Sequence, residues 1–244
     1  MLALIALSRT AVASLLLTLL MCGSSAIAWA AAEPAQSSII SGIDAAVQAR
    51  VANVAGFTDV ERYDVYRGQD ETHPAAEMTV KVTYRKGVGK SYTVVSEKGS
   101  AVIRKFGLEP LLENEKEINQ PGEVESSWFT SANYEMKLKS GSVEWLNGRP
   151  CYALAIKPKY KAPNMIDGTL WVDAKDFSIV RVAGIASQKP SFFAGTTHMM
   201  RDYVSIDGYP MATHARAESD SRWFGRTVVT IEYRDYQLEL PPAR

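Results

Sequence analysis

Cys151 is the residue best equipped by type for nucleophilic chemistry, and His73, His198 and His214 are the candidate bases. A cysteine nucleophile needs a base or cation nearby to hold its thiolate. Cys151 stands between Pro150 and Tyr152 at the start of an alternating segment, with no activating group beside it in sequence. It reads as a small buried residue. No histidine lies two or four residues from another ligand type in a metal-binding pattern. His214 shares the polar side of a strand with Arg216 and Glu218, which reads as a solvent-facing ladder. His198 precedes Met199 and Met200, near a Phe192-Phe193-Ala194-Gly195 loop, and reads as structural or exposed. Asp173 and Asp176 belong to a turn. The sequence holds no nucleophile elbow, phosphate loop or dinucleotide fingerprint. The expectation is a protein that is not an enzyme, with no catalytic residue, no metal and no cofactor.

What remains is apolar surface, and the elements that carry it. From Asn133 to Tyr236 apolar residues fall on every second position, as in Tyr134-Met136-Leu138, Tyr152-Leu154-Ile156 and Val229-Ile231-Tyr233. A period of two places one set on a buried face and the other in water. The spacing predicts strands near Asn133–Lys139, Val143–Leu146, Tyr152–Lys157, Thr169–Asp173, Phe177–Gly184, Met199–Ile206, Met211–Ser219 and Arg226–Leu238. Earlier strands are expected at Val60–Arg67, Met78–Arg85, Ser91–Ser96 and Ala101–Lys105, giving about a dozen in all. Short turns between them, such as Asn147-Gly148, imply an antiparallel sheet with one apolar face.

Two segments break the period. Ile40, Ile43, Val47, Val51 and Val54 recur at three- and four-residue steps, an amphipathic helix over Ile39–Val54. Ser41 or Asp44 is the expected start cap and Gly56 the expected end cap. Gly107–Asn119 reads as a short acidic helix with Pro110 in its first turn and Leu111 and Leu112 facing inward.

The N-terminus follows another plan. Arg9 is the only charge before Glu33, Ala11–Met21 is apolar, and small residues follow at Ala28-Trp29-Ala30 and Ala30-Ala31-Ala32. This is the order of a secretory signal peptide, here residues 1–32. The bulky Met21 before Cys22 argues against a lipoprotein cleavage site there. Residues 33–244 are then expected to form a single domain with Cys151 as its one cysteine, so its stability must come from packing. Basic and acidic residues balance at 27 each, which gives no electrostatic hold on nucleic acid or anionic lipid.

The order of these elements resembles the LolA-like group of periplasmic lipoprotein-sorting carriers. The resemblance rests on Asn147–Pro158, on Gly168–Arg181 with its Trp171-Val172-Asp173, and on Asp207–Met211. It implies an α+β fold: a curved antiparallel sheet forming an incomplete β-barrel, covered by the N-terminal amphipathic helix and the short helical insert. It also implies carriage or sensing of lipids or lipid-modified proteins in the cell envelope, without cofactor or catalysis. The expected partners are lipid or lipoprotein acyl chains and, secondarily, an envelope membrane protein, with a periplasmic location. The other reading is an envelope sensor or structural protein whose half-barrel is filled by its own side chains.

The expected ligand surface combines the helix stripe Ile40, Ile43, Val47 and Val51 with Leu111 and Leu112. Beneath these lie the strand residues Met78, Val80, Val82, Tyr84, Tyr134, Met136, Leu138, Leu154, Ile156 and Leu170. N-terminal sequencing of the protein from an envelope fraction should find a first residue close to Ala30–Ala32. A lipid-modified Cys22 in first place would instead make the chain an anchored lipoprotein.

Overall fold

A computed structural model describes residues 34–140, 143–162, 165–188, 195–221 and 225–241. The expected signal segment, Cys22 and the Phe192-Phe193 loop lie outside the described residues. Helix α1 spans Gln36–Asn53. Three strands follow, β1 Gly56–Arg67, β2 Ala76–Arg85 and β3 Gly89–Gly99. A helical insert comes next: α2 Ala101–Ile103, a π turn Arg104–Leu108, and α3 Glu109–Ile118. The chain returns as β4 Tyr134–Leu138, β5 Glu144–Leu146, β6 Arg149–Pro158, β7 Ile166–Asp173 and β8 Ile179–Ala186. It ends with β9 Thr197–Ile206, β10 Tyr209–Ser221 and β11 Gly225–Glu239.

Among the described residues the 11 strands form one antiparallel sheet in the order β3-β2-β1-β11-β10-β9-β8-β7-β6-β4, with β5 paired to β6. Chain neighbours pair with each other from β1 to β3 and from β6 to β11, β4 and β5 both pair with β6, and β1 meets β11, which ties the start of the sheet to its end. The register puts Tyr63 opposite both Met78 and Ile231, so their side chains share one face. The outermost strands β3 and β4 do not pair with each other, so the sheet is an open barrel rather than a closed one.

Three local expectations need correction. Ala101–Lys105 is helical, not a strand: the Ser100 Oγ accepts a bond from the Ile103 N–H and starts the helix despite the β-branched Val102 and Ile103. The π turn has a covalent cause. Pro110 has no N–H to give, and the Glu109 N–H bonds the Arg104 carbonyl five residues back. Gly56 opens β1 instead of closing α1, whose cap is Val54. Neither Ser41 nor Asp44 caps α1. The helix begins earlier, after Ala35, without a side-chain cap.

The core has two halves, each under one helix. In the first, Ile39 and Ile43 of α1 pack on Tyr134, Leu154, Ile156, Leu170 and Val182. In the second, Leu108 and Leu112 pack on Tyr63, Met78, Val80, Val82 and Val229. Polar contacts pin α1 along its length. The Leu138 N–H donates to Gln36 Oε1 at 3.0 Å. The Ser131 N–H donates to Asp44 Oδ1 at 2.7 Å, and Arg50 Nε to the Pro210 carbonyl at 3.1 Å.

Gly42 sets how closely α1 approaches the sheet, because a β-carbon there would fall on the Phe177 ring. On a free helix Gly→Ala gains about 1 kcal/mol. At Gly42 overpacking of about 1–3 kcal/mol should offset that gain. Gly42→Val should lower stability outright, as read by urea unfolding. A Val variant as stable as the parent would show that α1 is not seated against Phe177.

Candidate functional site

The two core halves do not meet. Between them lies a cavity of about 260 Å³. On the helical side it is lined by Val47 and Arg50 of α1, by Leu111, Glu115 and Ile118 of α3, and by Trp128 beyond the 3₁₀ turn Val124–Ser127. On the sheet side the lining runs from Val182 of β8 through Met199, Arg201 and Tyr203 of β9 and Met211 and Ala215 of β10. It continues with Ile231 and Tyr233 of β11 and ends at Glu61 of β1 and Lys90 of β3. That strands as distant in order as β3 and β8 line one space reflects the curl of the sheet.

Toward β8–β10 the lining is apolar apart from Arg201 and the Arg50 that reaches over from α1, and toward β1 and β3 it is charged. On β1 the inward positions read Phe57-Asp59-Glu61-Tyr63-Val65, two carboxylates within a buried row. Glu61 is met by Lys90 Nζ at 2.9 Å and by the Tyr63 hydroxyl, which donates to its other oxygen. Lys90 also faces Glu115 Oε2 of α3 at 3.6 Å. Burial works against the Lys90 charge, but Glu61 and Glu115 outweigh it, and the pKa is raised.

Asp59 has no such partner among the described residues. Neither of its oxygens makes a hydrogen bond of normal geometry, although the Tyr236 hydroxyl stands near enough to favour the ionised form slightly. Burial first, then the Glu61 charge, pushes its pKa up to about 7, with Lys90 pulling the other way.

Two arginines line the same space. Arg50 donates to a carbonyl and, at 3.6 Å, to the Met211 sulfur, both uncharged acceptors. Burial lowers its pKa. Arg201 has no carboxylate within ion-pair distance among the described residues. Burial opposes its charge, but Tyr233, Tyr203 and the more distant Glu115 raise its pKa overall.

The residues that could do nucleophilic chemistry lie apart from the cavity. Cys151 on β6 is buried, its Sγ donating to the Arg149 carbonyl at 3.4 Å, and burial first, then Asp173, pushes the thiol pKa up. His214 Nδ1 lies 2.7 Å from Glu232 Oε1, and Arg216 bonds Glu71 and Glu218, so the polar ladder expected there is present.

Of the residues expected to bind ligand, Val47 and Leu111 line the cavity. Ile43, Tyr134, Leu154, Ile156 and Leu170 are packed within the first core half, with Ile40, Met136 and Leu138 at its margin. Met78, Val80, Val82 and Leu112 are packed within the second. Tyr84 stacks on Phe57 with ring centroids 5.2 Å apart. The Val51 carbonyl accepts from Lys86 Nζ at 3.0 Å. Sequence reasoning passed over Asp59, Glu61, Lys90, Arg50 and Arg201. A signal existed in the two-residue step from Met199 through Arg201 to Tyr203, a cation on the apolar side of a strand.

No protein-family model matches the chain, and no curated protein matches it in sequence. Among solved structures it is similar to a LolA superfamily protein from Nitrosomonas europaea, with 11% identity and a TM-score of 0.45 over 84% of this chain and 94% of that one. It is similar to a domain from Vibrio parahaemolyticus named as an outer membrane lipoprotein-sorting protein, with 12% identity and a TM-score of 0.47 over 81% and 91%. A DUF1329 family protein from Desulfovibrio piger aligns with 14% identity and a TM-score of 0.42 over 84% and 95%. The likeness is one of chain path.

Asp59 makes stability depend on pH. Below about pH 4 both native and unfolded chains hold its proton. As pH rises toward about 7 the unfolded chain ionises while the native chain does not, so stability falls by an amount on the order of a few kcal/mol and levels off above that range. Asp59→Asn should flatten this fall in urea unfolding measured between pH 5 and pH 8. Parallel curves for the two proteins would show that Asp59 ionisation is not coupled to folding.

Proposed function

We propose that this chain is an exported, non-catalytic carrier or binder of lipid or lipoprotein acyl chains in the cell envelope. One observation carries the reading: a cavity of about 260 Å³ between two helices and the face of the sheet, lined in part by Val182, Met199, Met211, Ile231 and Trp128. An apolar cavity of about 150 Å³ already takes up benzene. Each buried methylene contributes about 0.8 kcal/mol, so six of them contribute about 5 kcal/mol before the cost of ordering the chain. Methionines suit such a lining, because their unbranched side chains repack around ligands of different length.

The cover supports the same reading. Helix α1 is held by a few polar contacts at Gln36, Asp44 and Arg50 and by the Ile39–Ile43 patch. It can therefore lift without breaking the strand ladder beneath it. Among the described residues no helix is long and apolar enough to cross a membrane. The lipoprotein-sorting name belongs to the Vibrio domain, and its chain path agrees with this reading of the present one.

A second reading, a sensor or structural protein with a self-filled core, draws on the packing of the core halves, where Met78, Val80, Leu154 and Leu170 are fully enclosed. Ala215→Phe separates the two. Ala215 lines the cavity on β10, and the larger ring should occupy the space. The variant should unfold within about 1–2 kcal/mol of the parent. It should lose co-purifying lipid in native mass spectrometry and bind a fluorescent fatty acid at least about tenfold more weakly. A parent protein that neither carries lipid nor binds the probe would leave the self-filled reading standing.

A further inference from the structure

Three cations and two carboxylates line the cavity apart from Arg216, whose guanidinium is engaged by Glu71 and Glu218. The carboxylates Glu61 and Glu115 both lie within ion-pair distance of Lys90, and Glu115 acts on Arg201 only from beyond that distance. That leaves Arg50 and Arg201 as the cavity cations without a carboxylate at ion-pair distance among the described residues. Tyr203, which follows Arg201 on the same inward row of β9, lies within electrostatic reach of both guanidiniums. Both residues are partly buried, and a guanidinium with no carboxylate in contact is free to take an anion from the cavity. Asp59 adds no fixed negative charge to offset them while it holds its proton. The arginine fork is matched to carboxylate and phosphate oxygens, which it can hold by two parallel bonds.

We infer that the cavity takes an amphiphile with an acidic headgroup, its carboxylate or phosphate held by Arg201 and Arg50 beside Tyr203 and its chain lying along Val182, Met199 and Ile231. This rests on the lipid-binding reading and narrows it from acyl chains in general to acidic lipids. The near-zero net charge of the whole chain is no objection, since a single headgroup meets only these interior charges. The apolar wall from β8 to β10 and the cationic pair lie on one cavity, so one molecule can satisfy both.

The test is competition for a bound neutral fluorophore by dodecanoate, dodecyl phosphate and dodecanol, each below its critical micelle concentration, on the exported chain. The two anions should displace the fluorophore at least about tenfold better than dodecanol, the margin a charge-assisted hydrogen bond supplies. Which anion is stronger tells a fatty-acid carboxylate from a lipid phosphate. Arg201→Met should bring the better anion to within about twofold of dodecanol while dodecanol itself binds as before, and Arg201→Lys should restore part of the preference. Unchanged dodecanol binding also reports that the Met variant is folded. Should that variant fail to fold, the comparison of anions with dodecanol in the parent still decides the matter.

A parent protein that binds dodecanol as well as the anions overturns the inference and leaves lipid binding intact. So does an Arg201→Met variant that keeps its anion preference. Displacement by none of the three overturns the lipid-binding reading and this inference with it.

Discussion

The sheet has more apolar face than its helices can cover, and most of the structure follows from that mismatch. A helix with its side chains is about 10–12 Å across, and neighbouring strands are about 4.8 Å apart. One helix therefore shields two or three strands. Here α1 and α3 each complete a core over one part of an 11-stranded sheet, and the strands between them curl to share what is left. The cavity is the part of that face which neither helix packs against closely, though side chains of both border it. Its position over β8–β11 follows from strand order, because β1 pairs with β11 and so brings the second core half around to face the first.

The charged wall of the cavity holds the second half together in a different way. Glu61, Lys90 and Glu115 join β1, β3 and α3, two strands and the helix that lies across them. A buried ion pair of this kind contributes little net stability against an apolar substitute, because desolvation takes back most of the Coulomb attraction. Its effect is on geometry. Lys90 satisfies two carboxylates from opposite sides only when α3 lies at one particular place on the sheet. The helix is thus positioned by charge and stabilised by Leu108 and Leu112.

The strands were legible in the sequence because the sheet buries one face, and alternation is what one-sided burial leaves behind. Every strand expected from Asn133 onward is present, with ends that differ by a few residues. The helical segment at Ala101 was hidden by β-branched residues, whose local preference lost to the Ser100 cap and to continuity with the helix after it. The site was harder to read for a physical reason. Large aliphatic residues at inward positions are those that pack best against their neighbours, so Leu154, Leu170 and Val80 became core. A cavity is lined by what packs imperfectly: methionines, alanine, aromatic edges and charges. On β1 the polar residues Asp59 and Glu61 occupy the buried row, while Arg62 on the other row reaches toward solvent. There the contrast between faces that reveals a strand's orientation was lost.

Cys151 gives the molecule a property apart from its cavity. Oxidation and disulfide exchange both require an accessible, deprotonated sulfur, and this thiol is enclosed on β6 and kept protonated. A thiol so enclosed does not couple one chain to another. Its protection lasts only while the β5–β6–β7 region stays closed. The rate at which a thiol reagent consumes Cys151 is therefore a clock for opening events in that part of the sheet, read at a single native atom without any label being introduced.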